Sequence, residues 1–346
     1  MDNLKLIRLT FKNPLHIHGT RSDYAETLRQ IHSDTLNAAI MQAWAVMGMN
    51  KSLEAIGQTE DKKGNLTFTF SSLFPYTTNM DSQIVYFLPR PKKPFDVQAI
   101  EENFKDDKKK VKKVEWLDVS YFTEQISKSE GINPNKNDFY DTIYLSKTKL
   151  KTEKFIRIDS EPHANIPRDI QMRKTNPYTF ERLRFVEGSG FYFLFEGKDE
   201  MFEIIKLALE LLKDEGMGTD RNLGNGQFDY EIKDKEDIKD FENLFKVESD
   251  YRTNLSLFMP ESAEDLDMML NNQDKNIGYE LVKRGGWLTT EPNLTLHKKS
   301  VFMFAEGSVF KTNNAVTGLT TNVKPDFAVT HPVWRVGRSF FVPIKF

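Results

Sequence analysis

Gly216-Met-Gly-Thr-Asp-Arg-Asn-Leu-Gly-Asn-Gly-Gln-Phe228 sets four glycines within eleven residues around an Asp-Arg-Asn core. Upstream, between Lys198 and Lys213, Phe202, Ile205, Ala208, Leu209 and Leu212 recur at helical spacing, with Asp199 as a candidate N-cap; downstream, Phe228, Tyr230 and Ile232 alternate as in a strand. The loop therefore runs from helix to strand. A dinucleotide fingerprint or a P-loop runs the other way, because the helix N-terminus must face the phosphate, and neither the third-glycine spacing nor a Gly-Lys-Ser/Thr is present. No nucleotide or other cofactor is expected. The glycines allow positive φ and close backbone approach, and Arg221 offers a donor fork to a phosphate or carboxylate. RNA backbone is the expected ligand, met by Gly216, Gly218, Arg221, Asn222, Gly224 and Gly226. The alternative is a helix C-cap at Gly216 followed by a bulged strand entry.

At 346 residues the chain is long for one core, so two domains are expected. A hydrophobic fraction of 39% with 27 phenylalanines indicates a folded protein, and 29% charged residues indicate a well-solvated surface. The net charge of −3 and pI near 6.1 argue against a free-standing, non-specific nucleic-acid binder, so RNA contact must come from local basic patches or from a larger assembly. With no cysteine, disulfides, thiolate metal sites and cysteine nucleophiles are excluded. The apolar stretch Ala38 to Met49 is too short to span a bilayer and is broken by Gln42, which reads as a soluble, cytoplasmic protein without membrane contact.

Leu4 to Phe11 reads as a first strand, followed by His16 and His18 at strand spacing on one face. With no third histidine nearby, they read as polar or RNA-facing residues rather than metal ligands. Ser33 is placed to cap a helix whose apolar face is Leu36, Ala39, Ile40, Ala43, Trp44 and Met47. Strands over Leu66 to Phe70 and Ile84 to Leu88 complete an α+β pattern. Lys105 to Lys113 holds six lysines and reads either as a solvated face or as a phosphate-attracting patch. Residues 151–185 lack periodicity and read as a flexible basic loop or hairpin. Pro162 to Lys174 is expected to be mobile there, with Arg168, Arg173 and Lys174 for phosphates and Ile166, Ile170, Met172 and Tyr178 to wedge against bases. A second αβ unit is expected to begin near residue 186. Further on, Lys283-Arg284-Gly-Gly-Trp287 and Lys298-Lys299 set basic residues beside glycine and tryptophan as further RNA contacts.

In order, Leu15-His16 with Gly19, Ser33-Asp-Thr-Leu36, Ser71 to Tyr76, Tyr86-Phe-Leu-Pro-Arg-Pro91, the glycine loop through Phe228, Lys283-Arg-Gly-Gly-Trp287, Glu306-Gly-Ser308 and His331-Pro through Pro343 span nearly the whole chain. In this order the sequence resembles the RAMP proteins of type III CRISPR interference complexes, and most closely the fourth subunit of the type III-A (Csm) complex. The resemblance implies two tandem ferredoxin-like, RRM-type domains, 1–150 and 186–346, the second closed by the glycine loop 216–226. It implies a non-catalytic subunit that holds the 5′ handle of crRNA and bridges the large polymerase-like subunit to the backbone RAMP subunits. The family loop commonly carries a basic or small residue where Thr219-Asp220 stands; Asp220 would repel phosphate unless it pairs with Arg221. Two other readings stay open: a metal-independent endoribonuclease of the related processing type with His18 or His163 as general acid-base, and a scaffold that binds only protein.

Overall fold

Phe191-Tyr-Phe-Leu-Phe195 is apolar at every position, the pattern of a strand covered on both faces, and all five residues are fully buried. The computed structural model describes residues 3–17, 26–49, 67–105, 108–165, 176–234, 238–270, 274–288, 296–312, 316–326 and 331–346. In chain order the strands are β1 (Leu4–Phe11), β2 (Phe68–Phe70), β3 (Phe74–Thr78), β4 (Ile84–Pro89), β5 (Trp116–Asp118), β6 (Phe139–Tyr140), β7 (Tyr144–Leu145), β8 (Ile156–Asn165) and β9 (Asn176–Phe185). They continue as β10 (Gly190–Gly197), β11 (Phe228–Lys233), β12 (Tyr251–Asn254), β13 (Leu281–Arg284), β14 (Val301–Phe304), β15 (Val309–Lys311), β16 (Gly318–Asn322), β17 (Trp334–Arg338) and β18 (Phe341–Pro343). The helices are α1 (Ser33–Val46), α2 (Val97–Asn103), α3 (Lys108–Lys112), α4 (Val119–Ser127), α5 (Asp199–Glu215), α6 (Lys239–Glu242) and α7 (Ala263–Met269).

The fold is α+β around a large mixed sheet of order β11-β1-β10-β3-β4-β5-β7-β6, with β2 also paired to β10. Its first four strands are mutually antiparallel, with Leu6 opposite Leu194 and Leu9 opposite Tyr230. Taken with α1 and α5, they make a β-α-β-β-α-β unit in the ferredoxin-like strand order, fourth-first-third-second. This corrects the expected division into 1–150 and 186–346. The third strand, second helix and fourth strand of the unit come from beyond residue 186, so the glycine loop closes the first unit, not a second one. Residues 79–189 are an insertion that lengthens the sheet through β4 to β7 and projects the β8–β9 hairpin. The C-terminal residues form a three-stranded sheet, β15-β12-β18, and the hairpins β13–β14 and β16–β17.

Burial explains why this unit holds together. On one face of β10, Phe193 and Phe195 meet Phe70, Phe202 and Phe68, and Trp44 of α1 packs edge-on to Phe68 while its Nε1 donates to Ile204 O at 3.1 Å, joining α1 to α5. On the other face Tyr192 meets Phe74, Tyr86 and Phe241, the last from α6. Each fully buried aromatic contributes about 1.5–3 kcal/mol relative to exposure.

The expected flexible stretch over 151–185 is largely a paired hairpin. Ile156 to Asn165 pair residue by residue with Phe185 to Asn176, so Pro162 to Asn165 are strand, opposite Thr179 to Asn176. Residues 166–174 of the expected mobile stretch lie outside the described residues. Ser33 does not cap α1: His32 stands at the N-cap position, and the Ser33 hydroxyl accepts from Leu257 N at 2.9 Å, tying the helix start to the C-terminal part. Glu306-Gly-Ser308 is likewise a buried crossing, where Lys92 N donates to Gly307 O at 2.7 Å and Gly307 N to Asn254 O at 2.7 Å.

Candidate nucleic-acid interface

Three segments converge at the end of β1. Leu15 pairs with Leu183 at the base of the β8–β9 hairpin (Leu15 N to Leu183 O 2.9 Å, Leu183 N to Leu15 O 2.7 Å). The glycine loop docks on the same segment, since Gly226 N donates to Pro14 O at 2.9 Å and Thr219 N to His16 O at 3.0 Å. Within the loop Met217 N donates to Gly226 O at 3.0 Å, and the Met217 side chain is buried. Gly216 is the C-cap of α5, with its N–H on Leu212 O, so the helix-cap reading and the loop reading describe the same residue. Residues Arg221–Leu223 form one 3-10 turn at the tip, where Asn222 and Leu223 are exposed.

Side chains hold the tip to the hairpin. Buried Arg182 donates from Nε to Glu161 Oε2 at 2.8 Å, lies over the Phe180 ring at 4.6 Å, and reaches Asp220 Oδ2 from Nη2 at 3.4 Å. Asp220 sits in the left-handed region at φ 57°. Asp220 thus faces Arg182, whereas Arg221 lies 3.8 Å from Glu215. The counter-charge of Asp220 is therefore not Arg221 but a residue 38 positions away. His16 donates from Nδ1 to Glu181 O at 2.6 Å and packs on Phe180 with centroids 4.2 Å apart; burial pushes its pKa below the ordinary imidazole value.

A second basic cluster lies at the start of α1. Arg284 grips fully buried Asp34 with both edges of its fork (Nε to Oδ2 2.9 Å, Nη2 to Oδ1 3.0 Å) and also donates to Thr35 Oγ1 at 3.0 Å. Arg335 of β17 pairs with the same Asp34 and donates to Gly285 O at 2.8 Å. Burial alone would raise the Asp34 pKa, yet the two guanidinium groups hold it far below the ordinary carboxylate range. Next to it, His32 meets Glu306 at 2.9 Å, and Ser72 also bonds Glu306.

Residues 247–344 match the model of the CRISPR Csm4 C-terminal domain. The CRISPR system protein Csm4 of Methanocaldococcus jannaschii is 26% identical over 361 residues, covering 93% of this chain and 89% of the relative. Its counterpart in Thermococcus onnurineus is 25% identical over 285 residues, covering 78% of each. The chain is similar to Csm4 proteins along most of its length, and residues 247–344 match their C-terminal domain. Among solved structures, a chain of the Csm3-Csm4 subcomplex of a type III-A CRISPR-Cas interference complex superposes with a TM-score of 0.63 at 18% identity over 99% of both chains. One from a Csm1-Csm4 cassette in complex with pppApA does so with 0.57 at 18% identity, covering 99% and 98%.

The expected site residues fall into separate places. Gly216, Gly218, Arg221, Asn222, Gly224 and Gly226 form the loop beside the hairpin base, and Lys283 is exposed on β13. Trp287 packs on His297 with centroids 3.6 Å apart, and Lys299 pairs with Asp326 at 2.5 Å. His18, Arg168, Arg173 and Lys174 lie outside the described residues. Arg284 is corrected: its guanidinium is buried on Asp34 and Thr35, so it supports the fold and has no fork left for a phosphate. Arg182 and Glu161 escaped the sequence reading, and Asp34 and Arg335 entered it only inside longer motifs, because their partners are remote and no local spacing marks them. Among the described residues no group of His, Asp and Glu could hold a metal, and no helix is long and apolar enough to cross a membrane.

The chain also carries a pH-sensitive pair. Burial would lower the His32 pKa, but Glu306 outweighs it and raises the value above 6.5. A raised histidine pKa stabilises fully below the unfolded value and is lost as pH rises through the folded one. Denaturant unfolding should therefore show a His32-dependent loss of stability above about pH 6.5, absent in His32→Gln; identical pH profiles would remove the pair from the stability of this junction.

Proposed function

We propose that this chain is a non-catalytic RNA-binding subunit of a type III-A CRISPR (Csm) effector complex, holding the 5′ handle of crRNA and bridging the large polymerase-like subunit to the backbone RAMP subunits. The observation that carries the reading is the glycine loop closing the ferredoxin-like unit, docked on Pro14 to His16 and on the base of a projecting hairpin. Its exposed tip presents Arg221 and Asn222, whose side chains can meet phosphate oxygens, which favours a sequence-tolerant grip on a single strand. The net charge of −3 fits a subunit that binds RNA inside an assembly rather than alone. The Csm3-Csm4 and Csm1-Csm4 structures support partners of both kinds.

Co-expression with its neighbouring operon products should yield a stoichiometric complex carrying short RNAs of a common 5′ sequence. A lone protein free of RNA would count against the proposal. The purified chain should leave repeat RNA intact with or without magnesium. His163 has Glu161 as its acidic neighbour, 3.7 Å away, and Glu161 is held ionised by Arg182 and Arg184, a poor proton donor. Multiple-turnover cleavage at one repeat position, lost in His163→Ala, would establish an endoribonuclease instead.

A further inference from the structure

Arg284, Arg335 and Lys298 bring three positive charges around the single carboxylate of Asp34, while His32 and Glu306 form a pair of their own. Both arginines take Asp34; Lys298, half-buried beside them, has no carboxylate partner among the described residues. Burial, joined by the Arg335 and Arg284 charges against the opposing pull of Asp34, pushes its amine down to about 8. Arg335 is 7% exposed, and its Nε has no hydrogen-bond partner among the described residues. A buried cation without compensation is costly, and a bound anion removes that cost. Lys298 N donates to Gly286 O at 2.9 Å, and Gly286 is exposed, with no atom of a described residue within 4 Å of where its side chain would begin.

We propose that Lys298, with the Arg335–Asp34–Arg284 cluster behind it and the open backbone of Gly286 beside it, is a phosphate-binding site. The local excess of two positive charges suits a phosphate group better than a single carboxylate, and Lys298, not Arg284, makes the contact. The source of that phosphate, RNA or the free ion, rests on the RNA-binding reading above; the site itself does not.

The test is acylation of the full-length chain at pH 7.5 with a limiting lysine-selective ester, followed by peptide mapping. Saturating inorganic phosphate should slow modification of Lys298 by about tenfold, as a site roughly nine-tenths occupied requires, and leave Lys299 unchanged. No protection, or equal slowing at Lys299, overturns the site. Two oligoribonucleotides, with and without a 5′-phosphate, separate the sources. Stronger protection by the phosphorylated one identifies a terminal phosphate, and equal protection a phosphodiester. Protection by inorganic phosphate alone supports the site while contradicting RNA as its occupant. Lys298→Gln, which leaves the Asp34 pairs intact, should abolish the rise in melting temperature that phosphate gives the wild type; an undiminished rise would also overturn the proposal.

Discussion

Asp34→Ala should lower the unfolding free energy by about 3–5 kcal/mol, the range seen when one partner of a buried ion pair is removed. Asp34 is fully buried under Arg284 and Arg335, so truncation leaves two guanidinium groups buried without a counter-charge at the seam between α1 and the C-terminal part. The surface pair Lys299–Asp326 is a control: its lysine and aspartate are 51% and 83% exposed, and Lys299→Ala should change stability by about 0–1 kcal/mol. The acid limb carries the same signature with a definite sign. Because the folded pKa of Asp34 is depressed, its contribution is present above the ordinary value of 3.8 and is lost only as pH falls through the folded value below it. Equilibrium urea unfolding measures both effects. A change of less than about 1 kcal/mol for Asp34→Ala would show that the pairs merely offset their own desolvation.

Gly226→Val should abolish RNA loading, while Gly224→Ala and Arg221→Ala leave most of it. Gly226 has φ 74°, its N–H is fixed on Pro14 O, and a β-carbon there would drive into the carbonyl oxygen of Met217. Gly218 is held similarly against His16 O. Positive φ and overpacking each cost about 1–3 kcal/mol, enough to unseat the loop from Pro14 to His16. Gly224 shares the positive φ but faces open space, so alanine costs only about 1 kcal/mol of backbone strain. Losing Arg221, a partly solvated charge 3.8 Å from Glu215, removes about 1 kcal/mol. The readout is RNA per assembled complex after purification. Full loading in a folded Gly226→Val complex would reduce the loop to a structural turn.

Local order was legible in the sequence wherever it depends on neighbours in the chain. The spacing of Phe202 to Leu212 and the alternation from Phe228 give α5 and β11, and the four glycines between them mark the loop. Long-range pairing was not. The ferredoxin-like unit is interrupted by residues 79–189, and nothing in the periodicity of β1 says that it lies between β10 and β11. The boundary near residue 150 therefore followed a composition shift that belongs to an insertion. The hairpin β8–β9 was hidden because one of its faces mixes Asp159, Glu161 and His163 with Arg182 and Arg184, a charge-paired set that breaks the apolar alternation. Asp34 and Arg335 are 301 positions apart, and Arg182 lies 38 from Asp220, so no motif could have joined them.

Ultraviolet crosslinking of the assembled, RNA-loaded complex, followed by mass spectrometry of the RNA-bearing peptides of this chain, tests the RNA-binding role most directly. Adducts are expected on peptides from the glycine loop, residues 216–227, and from the hairpin strand β9, residues 176–185. Adducts confined to the other subunits, with this chain bare of RNA at full occupancy, would contradict it.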